Sequence, residues 1–136
     1  MRTYRQVLAG FCLLLVAGCD ETSPVAPTVP LNQELTLAPG QTSTLENSSV
    51  RVQFMRVSGD SRCPADAICV LGGDALVHVR VSGSGSADYE LHAGDQSRAA
   101  VTHGGIRLEL VMLQPYPFSS RMIQPDEYRA TFKASR

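Results

Sequence analysis

The chain predicts an all-β fold, a small antiparallel β-sandwich of immunoglobulin-like or related type. Three observations carry that prediction. Apolar residues recur with a period of two from Leu31 onward, the spacing of strands with one buried face. Turn-forming residues interrupt them roughly every eight to twelve positions, as in sandwiches and barrels. No stretch shows the repeat of an amphipathic helix.

The elements follow in order. Leu31, Leu35 and Leu37 open the pattern, and residues 38–41 (APGQ) have turn chemistry. Residues 42–45 fit a short strand. Val50, Val52 and Phe54 alternate with Arg51 and Gln53. The phase then shifts at Met55 and Val57, which predicts a bulge or a change of sheet. Ala75, Val77, Val79 and Val81 alternate with Leu76, His78, Arg80 and Ser82 in the clearest strand of the chain. Residues 82–86 (SGSGS) read as a flexible turn. Tyr89, Leu91 and Ala93 make another short strand, closed by Gly94 and Asp95. Residues 97–102 read as a further strand before a tight turn at His103, Gly104 and Gly105. Ile106, Leu108, Leu110 and Met112 then alternate with Arg107, Glu109 and Val111, and Tyr128, Ala130, Phe132 and Ala134 close the chain in strand style.

Residues 1–19 (MRTYRQVLAGFCLLLVAGC) are of another kind. A basic head with Arg2 and Arg5 precedes an apolar run and the small pair Ala17 and Gly18, the layout of an export signal. The run is shorter than the roughly 20 residues of a bilayer-spanning helix. The last four, Val16-Ala17-Gly18-Cys19, resemble the lipobox of bacterial lipoproteins. That resemblance implies acylation of the Cys19 thiol, cleavage before Cys19, and attachment to a membrane of the cell envelope. Asp20, next to Cys19, implies the inner membrane under the sorting rule of enteric bacteria, so inner and outer membranes stay open. The domain organisation expected is a signal over 1–18, a lipidated cysteine and Pro-rich tether over 19–30, and a sandwich over 31–136. The tether assignment rests on residues 20–30 (DETSPVAPTVP), whose prolines and small polar residues neither build a core nor continue a helix.

Loss of Arg2 and Arg5 with the signal takes the formal charge from −1 to about −3. No basic patch points to nucleic acid. Of the four cysteines, Cys12 leaves with the signal and Cys19 carries lipid. Cys63 and Cys69 remain as a pair, and outside the cytoplasm such a pair is expected to form a disulfide. Five residues between them suit neither a redox CxxC nor a zinc knuckle.

The surrounding segment, residues 59–73 (GDSRCPADAICVLGG), is the most distinctive local feature. Pro64 suits the first position of a short helical turn. Asp60-Ser61-Arg62-Cys63-Pro64, followed by Cys69-Val70-Leu71-Gly72-Gly73, resembles a group of small uncharacterised exported bacterial proteins, many of them lipoproteins. The likeness extends to Pro39-Gly40-Gln41 and to Asp126-Glu127-Tyr128-Arg129-Ala130. Leu71 departs from the aromatic that group often carries. The resemblance implies a compact β domain with a disulfide-closed loop, and brings no activity. Asp60 and Arg62 are the candidate partner contacts. The competing expectation is that Arg62 pairs with Asp60, Asp66 or Asp74 and holds the loop.

No catalytic residue, cofactor or metal site is predicted. His78, His92 and His103 lack ligand spacing, and no nucleophile elbow, zinc-protease motif or phosphate loop occurs. Residues 114–125 (QPYPFSSRMIQP) form a long apolar connection that can bind or can plug the end of the sandwich. The function expected is a membrane-anchored, non-catalytic binding or structural module, held in the bilayer through acylated Cys19, with an envelope protein as a possible partner. The alternatives are an envelope enzyme or metal-binding protein with a loop-assembled Asp/His site, and an inhibitor-like accessory lipoprotein presenting the Arg62 loop.

Overall fold

The computed structural model describes residues 26–136. The signal, Cys19 and the first part of the tether lie outside the described residues. Among the described residues nine strands form two sheets: β1 (Thr28–Val29), β2 (Glu34–Leu37), β3 (Thr42–Leu45), β4 (Arg51–Ser58), β5 (Leu76–Gly83), β6 (Gly85–His92), β7 (Ala100–His103), β8 (Ile106–Gln114) and β9 (Arg129–Ser135). The five-stranded sheet has the order β1-β3-β4-β5-β6 and the four-stranded sheet β2-β9-β8-β7. All pairings are antiparallel except that of β1 with β3.

The period-two residues supply the core. Leu35, Leu37, Val52, Phe54, Val77, Val79, Val81, Leu108, Leu110, Ala130, Phe132 and Ala134 are all buried. Phe54 from one sheet meets Phe132 from the other edge to face, with centroids 6.2 Å apart. Such a pair adds to its own burial because ring edges are positive and faces negative. At one flank Tyr89 of β6 and His103 of β7 tie the sheets, hydroxyl to Nδ1 at 2.9 Å.

The expected phase shift in β4 is a register break between Phe54 and Arg56. A second break, between Leu110 and Met112, was not anticipated. It turns Met112 to solvent and buries Leu113 instead, since one extra residue exchanges the two faces. Three further boundaries differ from expectation. Thr28 and Val29, read as tether, pair with Thr44 and Leu45 as an edge strand. The backbone carbonyl of Pro27, just ahead of them, is the acceptor for the buried Ser43 hydroxyl. The SGSGS turn narrows to Ser84, because Gly83 and Gly85 already pair. Residues 96–98 form a 3-10 turn capped by Asp95, so β7 starts only at Ala100. The β7–β8 hairpin turns on Gly104 and Gly105, with φ of +56° and +77°, a two-residue loop that demands positive φ at both positions.

Candidate functional site

The β4–β5 loop and the β8–β9 connection meet at one end of the sandwich. Cys63 and Cys69 are joined by a disulfide, with Cα atoms 6.0 Å apart. The Ala67 N–H donates to the Pro64 carbonyl inside the closed ring, the turn that Pro64 announced. The two loops are stitched together. Ala65 N–H donates to the Pro117 carbonyl at 2.9 Å. Ser119 donates its N–H to the Asp66 carboxylate at 2.9 Å. Ser61 and Asp74 close the base of the β4–β5 loop, Ser61 N–H to Asp74 carbonyl at 2.7 Å. Gly73 permits that approach, because a Cβ there would sit 1.5 Å from the Ser61 oxygen.

Beneath the loops lies Arg62. Its side chain is only 8% exposed and that of Asp60 13%. Nε and Nη2 donate to the two oxygens of Asp60 at 2.9 and 2.8 Å. Nη1 donates to the Leu113 carbonyl at 2.6 Å and Nη2 also to the Pro115 carbonyl at 2.9 Å. Tyr128 donates its hydroxyl to Asp60 at 2.9 Å, and the Tyr116 ring covers the guanidinium, 5.6 Å from Cζ to centroid. The planar fork thereby joins the segment after β4 to the end of β8, and Asp60 carries the link on to Tyr128 ahead of β9. Burial pushes the Asp60 carboxyl up, but the bonds from Arg62 and Tyr128 outweigh it and hold it below the usual carboxylate range. Burial and the bond to Asp60 push the Tyr128 hydroxyl up to about 12, so it stays a donor. Of the two expectations for this loop, the pairing of Arg62 with Asp60 is the one found, and the exposed charged tip is not. The two residues are an internal clamp, because the loop folds back over the β8–β9 connection and buries them.

The same two loops expose several large apolar side chains. Ile68 and Val70 are fully exposed, Leu71 and Met122 each 83%, and Tyr116 and Phe118 stand about half out of the surface. Together they make an apolar rim set on a rigid base. The signal for it was present in the sequence: Ile68, Val70 and Leu71 fit no alternating strand and so have no sheet face to bury them. A cleft of about 450 Å³ opens beside the clamp, lined by Gln96, Met112, Leu113, Gln114 and Tyr116 as well as Arg62. Its only charged group is already spent on Asp60.

The histidines gather differently from expectation. His92 is buried, and its Nδ1 lies 2.5 Å from Asp74. Burial raises the Asp74 carboxyl, yet the Gly94 N–H, His92 and the Ala75 N–H together hold it below the usual range. His78 faces away from Val77 and Val79, as the alternation requires, with Nε2 2.7 Å from the Ser58 hydroxyl. Glu90 stands between the two histidines, 3.9 Å from His78 Nε2 and 3.6 Å from His92 Nε2. A serine activated by histidine needs the acid on the opposite ring nitrogen. Here Ser58 and Glu90 both approach Nε2 of His78. Among the described residues no group of three His, Cys, Asp or Glu side chains is placed to hold a metal ion.

The disulfide closes a short ring, so its effect should be modest. Replacing both cysteines, Cys63→Ala with Cys69→Ala, is expected to cost about 2 kcal/mol on the chain-entropy model, with the sandwich retained. Urea unfolding checks this. A loss several times larger would mean that the rim supports the core.

Against this geometry, no family model, curated protein or solved structure matches the chain.

Proposed function

We propose that the protein is a lipid-anchored module of a bacterial cell envelope that acts by contact, without chemistry of its own. The observation that carries this reading is the rim: six apolar side chains exposed on two loops that a disulfide, a buried arginine fork and cross-loop hydrogen bonds hold rigid. Rigid scaffolds with exposed loops are where small β domains place recognition. The Val16-Ala17-Gly18-Cys19 segment supports the anchor. Against an enzyme stands the shared Nε2 of His78, together with the burial of His92.

The anchor is tested by Cys19→Ser in a bacterial host. The wild-type chain should incorporate a fatty-acid probe and fractionate with membranes, and the variant should do neither. A wild-type chain that is soluble and unlabelled overturns the lipoprotein reading.

A further inference from the structure

The β8–β9 connection carries two clefts with a shared wall. The first, of about 620 Å³, is lined by Gln114, Pro115, Tyr116, Arg121, Glu127 and Arg129. The second, of about 290 Å³, is lined by Asp60, Pro117, Arg121, Met122, Ile123 and Tyr128. Arg121 belongs to both.

The clefts differ in charge. In the first, Arg121 and Glu127 pair with each other. Arg129 has no carboxylate. Its Nη1 donates to the Asp126 and Tyr128 carbonyls at 2.8 and 2.7 Å, and Asp126 meets it only through that backbone carbonyl. Nε and Nη2 of Arg129 bond nothing among the described residues. Those two atoms form the edge with which Arg62 holds Asp60 and Arg80 holds Asp88 in this same chain. Two arginines against one glutamate leave the first cleft positive, and a carboxylate is the shape and charge that such an edge takes in two parallel bonds. In the second cleft the Asp60 oxygens are taken by Arg62 and Tyr128. The rest of its wall is Pro117, Met122 and Ile123, which suits an apolar side chain.

The surroundings fit a protein. Tyr116, Phe118 and Met122 stand out of the surface beside Arg121 and Arg129. Aromatic residues, Met and Arg are the types enriched where proteins meet, and partners gain most from side chains seated in pockets.

We infer that the two clefts receive one segment of a protein partner, which sets a carboxylate on Arg129 and an apolar side chain against Met122 and Ile123. This rests on the reading of the rim as a contact surface and names what it contacts: an acidic segment with a large apolar residue close to the acid.

A display library of short random peptides, selected on the full chain, supplies the probe. Enriched peptides should carry Asp or Glu within a few positions of a large apolar residue. The affinity of one such synthetic peptide should fall about tenfold or more in Arg129→Gln, the weight of a charge-assisted hydrogen bond. It should fall alike when the peptide's acid is replaced by its amide, a change that leaves the protein untouched and so holds even if Arg129→Gln folds poorly. Met122→Ser should weaken binding too, and Arg107→Gln, at the opposite end of β8, should not. A photo-reactive phenylalanine analogue at position 118 of the full chain, irradiated in isolated envelopes, should cross-link a second protein, and the acidic peptide should suppress that product. Failure to enrich any peptide, or binding indifferent to the acid and to Arg129, overturns the inference. A cross-link to lipid or to a second copy of the chain also overturns it, while leaving the rim a contact surface. If no peptide is enriched and neither position 118 nor position 71 cross-links to anything, the contact reading falls with it.

Discussion

Arg62→Ala is expected to destabilise the domain by about 3 to 5 kcal/mol, the range for breaking a buried ion pair by removing one partner. The substitution leaves the Asp60 carboxylate beneath the loops with only Tyr128 as a side-chain donor. It also removes the donors to the Leu113 and Pro115 carbonyls. In a domain of this size the melting temperature should fall by roughly 10 to 20 °C. Arg62→Lys should recover little, since an ammonium offers a point charge where a fork bonds Asp60 and two carbonyls at once. Removing both charges with Asp60→Asn and Arg62→Met should cost less than Arg62→Ala alone, because no charge is stranded. A melting temperature within a degree or two of wild type would show that the clamp is dispensable. The sign of the pH dependence gives a second readout. A carboxyl held low in the folded state stabilises the fold above its unfolded pKa, and that contribution is lost as pH falls through its folded value. The gap between wild type and Arg62→Ala should therefore narrow in acid.

Phe132→Ala should cost a similar 3 to 5 kcal/mol, roughly the range for truncating a buried phenylalanine. Phe132 is fully buried in the middle of the four-stranded sheet, between Leu35 and Leu110, and its ring packs edge to face with Phe54 across the core. Truncation leaves a cavity that the two sheets can close only by moving together, which the Tyr89–His103 tie resists. Urea unfolding should show a lower midpoint with an unchanged slope. Phe132→Leu should lose less, since it keeps most of the volume. A loss below about 1 kcal/mol for Phe132→Ala would mean that the core repacks.

The two variants separate what holds the rim from what holds the sandwich. Arg62→Ala should loosen residues 59–75 and 113–128 first, because its bonds all lie there. Phe132→Ala should lower global stability while the rim hydrogen bonds persist. Hydrogen exchange of the Ala65 and Ser119 amides, both donors across the rim, distinguishes the two cases.

The all-β class, the inward-facing residues of β2, β4, β5 and β9, and the turns at Gly40 and at Gly104-Gly105 were all legible in the sequence. They depend on local rules: which side chains alternate, and which residues tolerate positive φ. The pairing of Cys63 with Cys69 was legible too, on the expectation that Cys12 and Cys19 belong to an export signal. Tertiary structure alone decided the rest. The break after Leu110 exchanges Met112 for Leu113 because the strand must stay in register with β9 on both sides of it. Thr28 and Val29 become a strand because β3 offers an open edge, which their own proline-rich composition does not reveal. Arg62 is internal because its carbonyl partners, Leu113 and Pro115, lie more than fifty positions away in the chain, as does Tyr128, the donor to Asp60. A charged triplet before a cysteine leaves both a surface tip and an internal pair open until the connection from β8 to β9 folds over it. Alternation decides which side of a strand meets the core, but which loop covers which is decided only when both sheets are assembled.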